Sequence, residues 1–147
     1  MRREPGLRER ALRLLARREH SRAELARKLQ AHAGPEDELE TLLDELARRK
    51  LLSDERYAEA RARVLSRRFG AARIARDLRA SGVEEHLAER ALNVGRATEA
   101  ERARDVWRRK FRTPPTTREE RAKQMRFLQS RGFSFDAIRA AVGGKDE

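Results

Sequence analysis

The sequence predicts an all-α protein made of three tandem three-helix units, each closing its own small core. Three observations carry that prediction. The 147 residues are 38% hydrophobic and 41% charged, a ratio that suits several small cores under charged faces better than one deep core. The apolar positions are mostly Leu and Ala, which favour helix, with few β-branched residues and no run alternating in period two. Gly34, Gly82 and Gly132 stand 48 and 50 residues apart. Each follows a helical pattern, where glycine suits the left-handed turn past a helix end.

The stretch Leu51 to Val83 shows the unit most clearly, with two helical patterns broken at Phe69-Gly70 and ended at Ser81-Gly82-Val83. Aligning RDLRASGVEEHLAERAL with RFLQSRGFSFDAIRAAV sets Leu78 on Leu128, Val83 on Phe133 and Leu92 on Val142. The repeats are expected over residues 1–52, 53–95 and 96–147.

In the first unit, Leu7, Ala11, Leu14 and Leu15 make an apolar stripe at helical spacing. Ser21-Arg22-Ala23-Glu24 reads as a capping box opening a second helix with the face Leu25, Ala26, Leu29. Gly34-Pro35 ends one helix and is expected to start the next, with Pro in its first turn. Glu36, Asp37, Glu38 and Glu40 suit that helix N-terminus, Leu39, Leu42, Leu43 and Leu46 its buried face, and Arg48, Arg49 and Lys50 its last turn. In the second unit, Ser53 or Asp54 caps a helix whose expected face is Tyr57, Ala60, Val64 and Leu65. Ala71, Ile74, Ala75 and Leu78 form the next face, and Leu87, Ala88, Ala91 and Leu92 the third. In the third unit, Thr98 with Glu101 reads as a capping box before the face Ala100, Ala103, Trp107, Phe111. Thr113-Pro114-Pro115-Thr116 is a loop, and Thr117 with Glu120 opens a helix with the face Ala122, Met125, Leu128. Ile138, Ala141 and Val142 complete the unit before Gly143-Gly144, and residues 145–147 read as a frayed tail.

The net charge is +11, which favours nucleic acid or an acidic protein as partner. Arg outnumbers Lys 31 to 5, but GC-rich coding also produces an Ala- and Arg-rich chain, so the net charge is the stronger signal. It is unevenly spread. Residues 56–79 hold eight Arg and two acids, residues 102–131 eleven Arg or Lys and three acids, and residues 36–45 six acids and no base. Some of this charge is expected to pair locally, as Asp77 with Arg73 one turn earlier.

No chemistry of catalysis stands out. His20, His32 and His86 fall in or beside predicted surface turns without metal-ligand spacing. There is no phosphate-cradling Gly-rich loop, and the carboxylates sit in helix first turns or ion pairs. With no Cys, neither a disulfide framework nor a thiolate metal site exists. The apolar runs fall short of the roughly 20 residues a membrane span needs, and the basic start MRREPGLRER lacks an apolar segment behind it, so a cytoplasmic, cofactor-free, monomeric protein is expected. Helical spacing assigns Trp107, Phe111 and Phe133 to core rather than base stacking. Phe127 lies off the stripe and is expected at the surface.

These residues resemble the RecX family, regulators of the bacterial RecA recombinase. Leu51-Leu52-Ser53-Asp54-Glu55-Arg56-Tyr57-Ala58 is similar to the family's "leucine, Asp, aromatic-Ala" entry. Arg68, Gly70, Ile74, Leu78 and Ser81-Gly82-Val83 resemble its basic helix and Gly-Val exit. Lys110-Phe111, Phe127-Leu128 and Arg131-Gly132-Phe133 resemble its ending, and Leu14-Leu15, Arg18, Ser21, Glu24-Leu25 and Lys28-Leu29 its first unit. Phe69 departs from the pattern, standing where a basic residue is common. The resemblance implies tandem three-helix repeats in an elongated, curved array. It also implies a cytoplasmic protein that binds the RecA nucleoprotein filament and inhibits its recombinase, ATPase and coprotease activities. The family supplies no catalytic residues.

Two functions follow as expectations. The first is a filament binder, with Arg67, Arg68, Arg73, Arg76 and Arg79 of unit two and Lys110, Arg112, Lys123, Arg126 and Arg131 of unit three as the contact residues. The second is a helix-turn-helix-like module binding single- and double-stranded DNA without sequence preference. Its candidate helices are rich in Arg and poor in Asn and Gln, which favours phosphate contact over base reading.

Overall fold

A computed structural model describes residues 4–35 and 38–143. Among them lie nine α-helices and no strand: α1 (Leu7–Arg17), α2 (Arg22–Gln30), α3 (Leu39–Arg48), α4 (Asp54–Leu65), α5 (Ala71–Ala80), α6 (Glu85–Asn93), α7 (Glu99–Lys110), α8 (Arg118–Ser130) and α9 (Phe135–Val142). A single 3-10 turn, Arg96–Thr98, precedes α7. The helices pack in threes, α1 to α3, α4 to α6 and α7 to α9. Each triplet buries a separate cluster. The first is centred on Leu25, Leu29, Leu43 and Leu46, the second on Ile74, Leu78 and Ala88, the third on Trp107, Leu128 and Ile138.

Local signals set several helix ends. The hydroxyls of Ser21, Ser53, Thr117 and Ser134 each accept a bond from the backbone N–H three residues on, satisfying one of the N–H groups left over at a helix start. The partner carboxylates of the expected boxes go elsewhere: Glu24 to Arg18, and Glu120 to the Thr116 N–H and hydroxyl. Gly82 and Gly132, at φ +80° and +87°, reverse the chain after α5 and α8. Val83 N–H then bonds Leu78 O, and Phe133 N–H bonds Leu128 O. The aligned pairs Leu78/Leu128 and Val83/Phe133 are therefore the two ends of matching Schellman motifs. Lys50, at φ +61°, makes the same exit after α3 with its N–H on Ala47 O and Leu51 N–H on Leu46 O.

Several expectations are corrected. Pro35 lies in a turn, and α3 starts later, at Leu39 behind the N-cap Glu38. Glu36, Asp37, Gly144 and residues 145–147 lie outside the described residues. The buried face of α4 is Tyr57, Ala58 and Ala62, while Val64 is 60% exposed at the groove between the first two units. Ala100 is exposed, and Val106 takes the buried place beside Ala103 and Trp107. Thr98 does not cap α7; its hydroxyl donates to Gly95 O and accepts from Arg102 Nε. Asp77 pairs across helices with Arg61 rather than with Arg73. His20 is only 1% exposed, wedged between Arg18 O (3.1 Å from Nδ1) and Lys28 Nζ (3.0 Å from Nε2). Phe127 is half-buried against the third core.

One device repeats at both junctions between units. The first residue of each following unit's first helix caps the second helix of the unit before it: Asp54 Oδ1 accepts Arg22 N–H at 2.7 Å, and Glu99 Oε1 accepts Ala71 N–H at 2.9 Å. The glycine exit of the following unit docks on the same helix start. Ser21 Oγ donates to Ser81 O at 2.6 Å, while Gly70 N–H and Ala72 N–H donate to Arg131 O and Gly132 O at 2.9 and 3.2 Å. Helix-start N–H groups that lack intrahelical partners are thus satisfied between units. Arg102 ties the second junction further, donating to Ser66 O, Phe69 O and Gly95 O. Burial lowers its guanidinium below the ordinary range, against the raising influence of Glu99.

Candidate functional site

The second junction opens into a cleft of about 260 Å³ lined by Arg67, Arg68, Val106, Arg109, Lys110, Phe127 and Arg131. Arg67 and Arg68 sit in the turn that ends α4, just before the extended N-cap Gly70, whose N–H donates to Arg131 O. Arg109 and Lys110 end α7, and Arg131 caps α8. All five cations therefore converge from helix C-termini, where the helix dipole favours positive charge.

Aromatic rings, not carboxylates, hold the inner cations. The Arg131 guanidinium lies between two rings, its Cζ 5.4 Å from the centre of Phe69 and 5.0 Å from that of Phe127. Lys110 Nζ stands 5.5 Å over the same Phe127 ring, and Arg73 lies 4.9 Å over Phe69. Phe111 braces Phe127 edge-on, with centroids 5.4 Å apart and planes at 89°. Such contacts orient a cation without neutralising it. Arg109 Nη2 donates to Arg67 O at 3.0 Å, drawing α7 and the end of α4 together. Among the described residues, no carboxylate forms an ion pair with any of the five cations.

Of the ten residues expected to form the contact surface, Arg67, Arg68, Lys110 and Arg131 line the cleft, and Arg73 joins it through Phe69. Arg76 and Arg79 line a different groove, with Glu89 and Arg96. There Arg79 is held by Glu85 through two bonds of 2.8 Å, which lower the Glu85 carboxyl below its ordinary range. Arg112 is exposed in the turn after α7 at φ +65°, and Lys123 and Arg126 are exposed on α8; none of the three lines the cleft. Sequence reasoning missed Arg109, and it missed the role of Phe69 and Phe127 as ring platforms. The departure at Phe69 from a commonly basic position was the available signal. No helix is long and apolar enough to cross a membrane.

The fold and cleft define a class: an all-α tandem array of three-helix units with an unpaired cationic cleft at its second junction. Residues 8–46, 53–92 and 97–142 match, in that order, the first, second and third three-helix domains of RecX. The chain is 49% identical over 137 residues to the regulatory protein RecX of Leptothrix cholodnii, covering 93% of this chain and 87% of that one. It is 48% identical over 137 residues to that of Herbaspirillum seropedicae, covering 92% and 88%. The crystal structure of RecX from Lactobacillus salivarius shares the fold, with a TM-score of 0.79 at 23% identity over 92% of each chain. A second RecX crystal structure has a TM-score of 0.80 at 26% identity, covering 96% of this chain and 72% of that one. The chain belongs to the RecX family of regulatory proteins.

Proposed function

We propose that this regulator acts on the RecA–DNA filament in the cytoplasm, as a non-catalytic monomer that inhibits strand exchange, ATP hydrolysis and coprotease activity. The observation that carries the reading is the cleft at the second junction: five cations and no lining carboxylate. An unpaired cationic face is complementary to nucleic-acid phosphates and to acidic protein surfaces, the two kinds of partner a protein–DNA filament can offer. The test is RecA ATPase and strand exchange titrated with the protein at two salt concentrations. Inhibition should weaken at the higher salt and vanish when Arg67, Arg68, Lys110 and Arg131 are changed together to Glu, with helicity preserved. Full inhibition by that variant overturns the assignment. A second reading, binding of free DNA without sequence preference, is favoured by the lack of Asn and Gln in the cleft lining. Inhibition of strand exchange well below the concentration that coats free DNA separates the first reading from the second.

A further inference from the structure

The register of the three units places one surface patch in three settings. Ala11, Ala58 and Ala103 each stand fifth in the first helix of their unit, and Leu29, Leu78 and Leu128 lie late in the second; all are 0% exposed. With these as anchors, Arg10, Arg13, Leu14 and Arg17 match Tyr57, Ala60, Arg61 and Val64, while Lys28 and His32 match Asp77 and Ser81. The matched residues of unit two form one side of the groove at the first junction, and Arg18, Glu19 and Glu24 of unit one form the other. Val106, Arg109, Phe127 and Arg131 hold the same places at the second junction, facing Arg67 and Arg68 of unit two. In units two and three the patch is therefore the surface on which the preceding unit sits. In unit one it forms a groove of about 400 Å³ lined, among the described residues, by that unit alone. The carbonyl that takes the junction bond is open as well. Ser81 O and Arg131 O accept from the unit before, whereas no described residue donates to their counterpart, His32 O.

We propose that this open junction face of unit one docks the start of an acidic helix from a partner protein, seated where a preceding unit would sit. The groove's charge and floor specify that occupant. Arg10, Arg13 and Arg17 rise from α1 on one flank and Lys28 from α2 on the other, with Leu14 and Leu29 between them. Glu9 pairs with Arg13, and Glu24 reaches Lys28 at 4.0 Å, but among the described residues Arg10 and Arg17 have no ion pair. A helix with acids in its first turn and one apolar side chain meets both the flanks and the floor, and its unsatisfied N–H groups match His32 O. A nucleic-acid strand fits less well. It brings no aliphatic group to the leucine floor, and no Phe, Tyr or Trp lines the groove for a base to stack on. A second copy of this chain also fits less well. The matching end of its unit three carries Lys110, Arg112 and Arg118. Leu7 moreover occupies the place from which Asp54 and Glu99 cap the unit before.

The probe is a labelled synthetic helical peptide with glutamates in its first turn beside a single leucine, titrated with the full chain and read by fluorescence anisotropy. Arg10→Gln/Arg17→Gln removes the two unpaired cations of the groove. Arg27→Gln/Arg48→Gln removes two exposed cations of the same unit that do not line it. Circular dichroism checks that both variants fold. The groove variant should bind roughly three- to tenfold more weakly, and the control variant within about twofold of wild type. Replacing the peptide's leucine by alanine should weaken binding by a similar factor. Amide shifts on saturation should cluster at Leu14, Lys28 and His32. No saturable binding to wild type, an equal loss in both variants, or indifference to the leucine overturns the proposal. Displacement of the peptide by an oligothymidylate of equal charge, as readily as by unlabelled peptide, overturns it in favour of nucleic acid. A dimer in sedimentation that the groove variant abolishes overturns it in favour of self-contact. Neither variant touches the cleft at the second junction, so this proposal and the reading of that cleft fail or hold separately.

Discussion

The Gly132→Ala substitution tests whether the repeated junction holds units two and three together. Gly132 sits at φ +87°, and a Cβ there would lie 2.5 Å from both the Cβ and the backbone N of Arg73. The left-handed backbone alone costs a non-glycine residue about 1–2 kcal/mol. The methyl group also pushes against backbone rather than a flexible side chain, so the start of α5 must move away. That weakens the bonds from Gly70 N–H to Arg131 O and from Ala72 N–H to Gly132 O, each worth about 1 kcal/mol. The total is about 3–4 kcal/mol, or roughly 10 °C of Tm for a chain of this size. Thermal melts by circular dichroism measure the total, and hydrogen exchange at Gly70 and Ala72 localises it. Gly82→Ala shares the φ strain, at +80°, and its new methyl meets Ala23 Cβ at 2.5 Å, but the start of α2 bonds that exit through Ser21 Oγ rather than through backbone N–H groups, so it should cost less. Gly6→Ala has open space around it and should change stability by under about 0.5 kcal/mol. If Gly132→Ala melts within 2 °C of wild type with unchanged protection at Gly70 and Ala72, the close approach does not hold the junction.

Three further outcomes follow from single contacts. Lys50→Gly relieves the left-handed strain at φ +61° after α3 and should raise the unfolding free energy by about 1 kcal/mol in a urea titration. Trp107 Nε1–H donates to Gln124 Oε1 at 2.8 Å inside the third core; Gln124→Ala should cost about 1–3 kcal/mol by stranding that donor, while Trp107→Phe/Gln124→Leu should recover most of it. His20 has its pKa lowered from 6.5, first by burial and then by the Arg18 and Lys28 charges, against the Arg18 carbonyl and Glu24. Below pH 6.5 the unfolded chain takes up a proton that the folded chain resists, so stability is full above that pH and falls as the pH drops beneath it. Urea midpoints from pH 7.5 to 5 should show that decline in wild type and a flatter profile in His20→Gln.

The parts of this fold legible in the sequence are those decided within five or six residues. Ser21, Ser53 and Thr117 cap because a hydroxyl reaches the N–H three residues on, and Gly82 and Gly132 turn because only glycine rests easily at that φ. What the sequence left open depends on the neighbouring unit. Val64 has the spacing of a core residue, yet it lines the first-junction groove while its neighbour Leu65 packs on the core of unit two. His20 looked like a turn residue, but α2 closes over it through Lys28. The charge runs marked the basic helices correctly while hiding which cations remain unpaired. Pairing is decided across helices: Arg61 takes Asp77, and Glu85 takes Arg79. The cleft becomes visible only after those pairs are removed from the count.

The junction itself explains how one repeat serves two ends. Each of its holding contacts has a backbone group on at least one side: Arg22 N–H and Ala71 N–H on the carboxylates of Asp54 and Glu99, Ser21 Oγ on Ser81 O, Gly70 N–H on Arg131 O. Contacts of that kind ask little of the lining side chains beyond the glycine exit and the acid that begins the next helix. The lining is then free to differ, and it does. At the first junction Glu19 pairs with Arg56 and Asp77 with Arg61, so the charges lining that groove are neutralised. Where Arg68 and Phe127 stand, the same geometry keeps its charge unpaired. Exposed ion pairs stabilise by only about 0–1 kcal/mol each, so exchanging them for a cationic cleft costs the second junction little. Arg102, bonded to three carbonyls across that junction, makes up part of the difference.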